Sequence, residues 1–355
     1  MSGGLTFTML DAAKMSTAEV YGAALCELGA EHRDVVALSA DLAKSTKIGT
    51  FGEKFPDRFF NVGIAEQNMF GVAAGLAKTG LVPFVSTFAI FTSMRGLDQV
   101  HTDICYQNLN VKMIATHAGL SFGQAGSTHH CTEDIAIMRS MANLTVIAPA
   151  DGASTGRAVR AAYERKGPVY IRINRGFDQI VYDGEASDGA AAGSAAGSDG
   201  GPAAGKNFEI GKAIQLKDGT DLTIIACGSC VWRALEAARM LEKTDGLSVR
   251  VLDMHTIKPI DKEAIDRAIK ETRRVITVED HNVIGGLGGA VAEVAAETGK
   301  SFSFARLGIP DCFSLIGQHE DLLAHYGIDE NGIAAAVREM MGKDFEADEN
   351  WDDEV

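Results

Sequence analysis

Short apolar runs alternate with longer helical patterns along most of the chain. Before residue 183 the runs are "VVALSA" (35–40), "FVSTF" (84–88), "VKMIAT" (111–116), "LTVIAPA" (144–150) and "VYIRINR" (169–175). Their length and β-branched content predict buried strands. Residues 64–78 and 151–164 predict helices between them. After residue 207 the rhythm repeats, with strands at "LTIIA" (222–226), "VRVLDM" (249–254), "RVITVE" (274–279) and "FSFARL" (302–307), and helices at 230–243, 261–272 and 286–298. Such alternation predicts an α/β fold of two parallel-sheet domains covered by helices.

One stretch breaks the rhythm. "DGEASDGAAAGSAAGSDGGPAAGK" (183–206) is nearly all Gly, Ala, Ser and Asp. It lacks the apolar surface to offset the entropy of ordering. The predicted organisation is a first domain at 1–182, a flexible Gly/Ala/Ser linker at 183–207, a second domain at 208–343 and an acidic tail at 344–355.

Ligand sites in parallel sheets form at the carboxyl ends of strands. Asp41, His117 and Arg175 fall at such ends. Glu66 sits in the apolar, small-residue stretch "NVGIAEQNMFGVAAGLAKTG" (61–80). If it lies on the buried side it needs a partner, because an unpaired buried charge is costly. "THAGLSFGQAGSTHHCTED" (116–134) mixes histidines with glycines. Glycine permits tight turns, and histidine suits proton transfer near neutral pH. His117, His129, His130 and Cys131 match no familiar zinc spacing, so no metal site is predicted in this chain. Phe88 and Phe91, three apart, share one helical face, either as core or as a shelf for a flat ring. The lone "CGSC" (227–230) reads as structural cysteines. "GGLGG" (285–289) reads as close helix–loop packing and not as a dinucleotide motif.

Composition narrows the classes. At 46% apolar, 355 residues can build two cores. A net charge of −15 argues against a nucleic-acid partner. No window approaches the roughly 18 to 20 apolar residues of a membrane span, and the first residues predict no signal peptide. Six scattered cysteines suggest reduced thiols in the cytoplasm.

Taken in order, "SADLAKST" (39–46), "FFNVGIAEQNM" (59–69), "STFAIF" (86–91), "THAGLSFGQAGSTHH" (116–130), "VIAPAD" (146–151) and "YIRINRG" (170–176) are more specific than any one of them. The chain resembles the carboxyl-terminal half of transketolase, a pyrimidine-binding domain plus the carboxyl-terminal domain, over about residues 15–342. Within the family it looks most like the beta-type subunit of a split transketolase.

The resemblance implies a thiamine diphosphate enzyme that moves a two-carbon ketol unit from a ketose, phosphorylated, to an aldose. It implies that Glu66 hydrogen-bonds N1′ of the aminopyrimidine and favours the tautomer that activates the cofactor. Phe88 and Phe91 match the aromatics flanking that ring, and Asp41 joins the cofactor contacts. His117 and His129 match histidines of the substrate channel, so Glu66, His117 and His129 are the expected catalytic residues. Ser45 and Arg175 match residues that grip a sugar phosphate. Arg172 has a counterpart in the related deoxyxylulose-phosphate synthases. Three positions depart from the family: Ala125 replaces an aspartate that contacts an acceptor hydroxyl, Met94 replaces a tyrosine, and Ala18 replaces a phosphate-binding arginine.

The family's diphosphate-binding motif, G-D-G with a downstream Asn, is absent from the sequence. The resemblance therefore implies a separate amino-terminal (alpha) subunit that holds the diphosphate and a Mg²⁺ or Ca²⁺ ion. The cofactor is shared across the subunit interface of an α2β2 assembly. Two alternatives stay open at this point. One is the beta subunit of a related enzyme, a 2-oxoacid dehydrogenase or a deoxyxylulose-phosphate synthase-like protein. The other is a non-catalytic scaffold relative.

Overall fold

The computed structural model describes residues 14–182 and 208–342. The expected linker (183–207) and acidic tail (344–355) lie outside the described residues. The larger sheet has seven strands. From edge to edge they are Thr256–Lys258, Thr145–Ile147, Val169–Arg172, Lys112–Thr116, Val82–Phe88, Val35–Ser39 and Phe59–Asn61. All neighbours are parallel except the Thr256–Lys258 edge. The smaller sheet runs Ser303–Ile309, Arg274–Asn282, Leu222–Ala226, Val249–Asp253 and Ile214–Lys217, and only the last strand is antiparallel. Its central strands are buried along their whole length, as expected where helices cover both faces.

The nine expected strands and five expected helices all form. Phe59–Asn61 and Thr256–Lys258 have three residues each, too few to show a period. Thr256–Lys258 also comes from beyond the linker yet pairs with the first sheet. Helix Thr17–Glu31 was not anticipated. It buries nine residues, with Tyr21, Leu25 and Leu28 among them, and so lacks a clean polar face. Its Ser16 cap accepts the Glu19 amide.

The two halves share one core. Leu38, Met113 and Tyr170 of the first belong to the same cluster as Ile225, Leu252 and Val291 of the second. Among the described residues, no helix is long and apolar enough to cross a membrane. The parallel strands of the larger sheet bring their carboxyl ends to one edge, and the candidate residues gather there.

Candidate active site

Glu66 is the first residue of helix Glu66–Lys78 and is 5% exposed. A carboxylate is favoured in a first helical turn by the partial positive charge of the free amides. It also has a partner: Arg95 Nη1 donates to Glu66 Oε1 at 2.8 Å. Arg95 ends a π-helical turn, Phe91–Arg95, just after strand Val82–Phe88. Its side chain is half exposed, and its guanidinium carbon lies 3.8 Å from the Phe91 ring centre.

The Phe88 ring stacks on Phe91 at 5.3 Å and on His117 at 3.8 Å. His129 meets Phe91 edge-on at 5.6 Å, and Phe122 meets His117 and His129 edge-on at 5.0 and 5.6 Å. The Arg175 guanidinium lies 4.6 Å from the Phe122 ring centre. Glu66, Phe88, Phe91, His117, His129 and Arg175 thus fall into one continuous cluster, linked at the Glu66 end by Arg95.

His117 follows strand Lys112–Thr116 with a left-handed backbone, φ 61°. Few non-glycine residues adopt this conformation, and those that do concentrate at functional sites. Its Nδ1 pairs with the Thr116 hydroxyl at 2.9 Å. Burial, then the Arg175 charge, then His129 lower its pKa to about 3, so the imidazole is neutral near pH 7.

Asp41 is also left-handed, φ 60°. Asn61 Oδ1 accepts the amides of Asp41 (3.0 Å) and Gly63 (3.1 Å), tying that loop to the approach to Glu66. Ser45 is exposed on the same loop. Arg172 behaves differently: its side chain is turned inward. It is buried, with Nε donating to Asp134 at 2.8 Å and Nη2 donating to the carbonyls of Asp280 (3.1 Å) and Cys131 (3.4 Å). Of the three departures, Met94 is exposed beside Arg95, Ala125 is half-buried, and Ala18 is buried in helix Thr17–Glu31.

The remaining motifs lie outside this cluster. Cys227 and Cys230 are buried, and burial pushes the Cys230 thiol up to about 12. In the glycine-rich turn, Glu279 accepts the amides of Leu287 (2.6 Å) and Gly288 (2.7 Å). A Cβ on Gly286 would lie 2.0 Å from Glu279 Oε2. That helix start is filled by an internal carboxylate. Among the described residues, no three His, Cys, Asp or Glu side chains converge as a metal site.

Two residues of this cluster are not marked by the sequence reading. Arg95 lies four positions after Phe91, a spacing that places it over that ring. Phe122 lies inside the glycine-rich histidine loop, where no helix or strand period marks it.

The family model for the transketolase pyrimidine binding domain matches residues 13–177, and that for the transketolase C-terminal domain matches residues 211–333. A Methanocaldococcus jannaschii protein described as a transketolase C-terminal section is 45% identical, over 91% of this chain and 96% of its own. One subunit of the apulose-4-phosphate transketolase of Phocaeicola vulgatus is 38% identical, over 90% and 95%. Among solved structures, a split gene transketolase in an inactive beta4 tetramer superposes with a TM-score of 0.79. It is 42% identical and matches 92% of this chain and 98% of that one. The chain belongs to the transketolase family, as the carboxyl-terminal subunit of a split transketolase.

Proposed function

We propose that this subunit supplies the pyrimidine half of a thiamine diphosphate site that moves a two-carbon ketol unit from a phosphorylated ketose to an aldose. Thiamine diphosphate is the cofactor the family uses. The observation that carries the reading is a single buried carboxylate, Glu66, beside stacked Phe88 and Phe91, with both histidines on the same aromatic cluster. These residues fit an aminopyrimidine. Arg95, a flat group with N–H donors, already makes both contacts that such a ring would use, to the Phe91 face and to Glu66.

When bound, the cofactor supplies the nucleophilic carbon and the electron sink for breaking the ketose carbon–carbon bond. Glu66 would hold the ring nitrogen of the bound cofactor by a hydrogen bond. His117, kept neutral, exchanges hydrogen bonds and protons with substrate hydroxyls, and His129 lines the same channel. Arg175 and Ser45 grip the phosphate, and Asp41 supports the cofactor side. Arg172 acts from behind, through Asp134 and the carbonyls it holds.

The amino-terminal subunit holds the diphosphate and its Mg²⁺ or Ca²⁺ ion in an α2β2 assembly, with the cofactor bridging the chains. The inactive state of the related beta4 tetramer supports this division of labour. A phosphate on the ketose is supported by the relative named for apulose-4-phosphate. The cysteines, free in the structure and buried except Cys312, are in keeping with work in the cytoplasm.

The test combines this chain with its amino-terminal partner, thiamine diphosphate and Mg²⁺, and offers ketose phosphate plus aldose or pyruvate. Ketol transfer is expected. Pyruvate decarboxylation without ketol transfer would overturn the reading.

A further inference from the structure

The histidine-bearing loop of the first half is held by the second half. At its near end, Gly119 and Cys131 exchange backbone hydrogen bonds of 2.9 and 3.0 Å, which closes the loop. Both carboxylate oxygens of Asp280 then accept the Leu120 amide, at 3.0 and 3.1 Å. Asp280 is 2% exposed and belongs to strand Arg274–Asn282 of the smaller sheet. Its other side-chain neighbour is His319 Nε2, at 3.3 Å. The fit is close, because a Cβ on Gly119 would lie 2.2 Å from Asp280 Oδ2, and Gly119 has φ +57°. At the far end, Ser127 Oγ donates to the Ser314 carbonyl at 3.1 Å. Between these anchors lie Phe122 and His129.

We propose that Asp280 is a positioning residue for ketol transfer: from the second half of the chain it sets the loop that presents Phe122 and His129 to substrate.

Burying a carboxylate is a poor way to glue two domains together. An apolar residue of similar volume often does as well or better, because the charge must first be desolvated. What a carboxylate adds is direction. Two oxygens on one amide fix where Leu120 stands, and the next residues carry the rings that meet Phe88 and His117. Leu120 sits three residues after His117, so an error there moves both ends of the substrate wall. Arg172 reinforces the arrangement by holding the Asp280 and Cys131 carbonyls together. The inference rests on the proposal that His117 and His129 face substrate. It touches no cofactor atom.

The experiment compares wild type, Asp280→Ala and Asp280→Asn, each as full chain assembled with the amino-terminal partner. Amide hydrogen exchange is followed over residues 119–131, calorimetry gives thiamine diphosphate affinity, and steady-state assays give kcat and KM. In Asp280→Ala, exchange within the loop should rise about tenfold or more. Displacement of the loop should lower kcat/KM for the aldose by about tenfold to a hundredfold, while cofactor affinity stays within about twofold. Asp280→Asn keeps one acceptor oxygen and should recover most of both losses. If Asp280→Ala fails to assemble, Asp280→Asn and His319→Gln carry the comparison, each with smaller effects in the same direction. Unchanged loop exchange would overturn the proposal. So would a parallel fall in cofactor affinity, loop protection and melting temperature, since that is general unfolding. Loss of ketol transfer in the wild type itself would sink the functional reading instead, while loop exchange would still report whether Asp280 holds the loop.

Discussion

Arg95 donates to Glu66 at 2.8 Å while its guanidinium covers the Phe91 ring at 3.8 Å. One half-exposed side chain thereby supplies both contacts that the carboxylate and the shelf would offer a flat heterocycle. On the proposed function, Arg95 and the aminopyrimidine would compete for the same carboxylate and the same ring face. Arg95→Ala removes that competitor, so the assembled enzyme should bind thiamine diphosphate more tightly, by about threefold to tenfold. In the isolated chain the same change leaves Glu66 buried without its cation, so the melting temperature should fall. Calorimetry and thermal unfolding read the two effects separately, and an unchanged or weakened cofactor affinity would refute the exchange.

Glu66→Gln keeps the size of the side chain and still offers an oxygen to Arg95. On the proposed function it removes the group that would share a proton with the cofactor's ring nitrogen. Turnover of the assembled enzyme should fall by about 10² to 10⁴-fold. The melting temperature should move by only a few degrees, about what 1 kcal/mol shifts in a chain of this size. Near wild-type turnover would sink the role assigned to Glu66.

His117 carries a pH signature. Its pKa falls from 6.5 in the unfolded chain to about 3 in the fold, chiefly through burial. Between these values the unfolded state binds the extra proton, so the stability due to His117 is intact above about pH 6.5 and is lost as pH falls toward 3. At pH 5 the loss is on the order of 2 kcal/mol. Urea unfolding at pH 7 and pH 5 should show a smaller acid loss in His117→Gln than in the wild type. Equal losses in the two proteins would mean that the imidazole is not buried as neutral.

The legible part of this fold was its parallel core. Strands such as Val35–Ser39 and Leu222–Ala226 are buried along their length, so they write themselves into the sequence as unbroken apolar runs. Helix Thr17–Glu31 is buried too widely to show an amphipathic period, and the Thr256–Lys258 strand is defined by a partner far away in sequence. The site divides in the same way. Glu66, Phe88, His117 and His129 stand in local motifs whose order could be read. Asp280 could not be found so, because its only signal is the approach of Gly119, 161 positions earlier. Arg172 reads differently again: its position has a counterpart in the deoxyxylulose-phosphate synthases, while in the fold its Nε donates to Asp134 at 2.8 Å, a partner 38 positions away that no local motif reveals.

The last expectation concerns the chain without its partner. Ile64 is 78% exposed and Met94 46% exposed, and they stand two residues before Glu66 and one before Arg95. Large apolar side chains at the rim of a polar site mark a surface that another protein covers. The diphosphate carries most of the cofactor's charge, and the cluster around Glu66 offers it no converged metal ligands among the described residues. The isolated chain should therefore show no measurable ketol transfer, even with excess thiamine diphosphate and Mg²⁺. Adding the amino-terminal subunit should restore cofactor binding and activity together, through an interface of roughly 2,000 Å² or more. Ile64→Lys should weaken that assembly while leaving the fold of the isolated chain intact, because the side chain is already in solvent. Size-exclusion chromatography and activity assays, on chain shown by mass spectrometry to be free of partner, decide the matter. Robust turnover by the chain alone would mean that it binds the diphosphate itself and that the split reading is wrong.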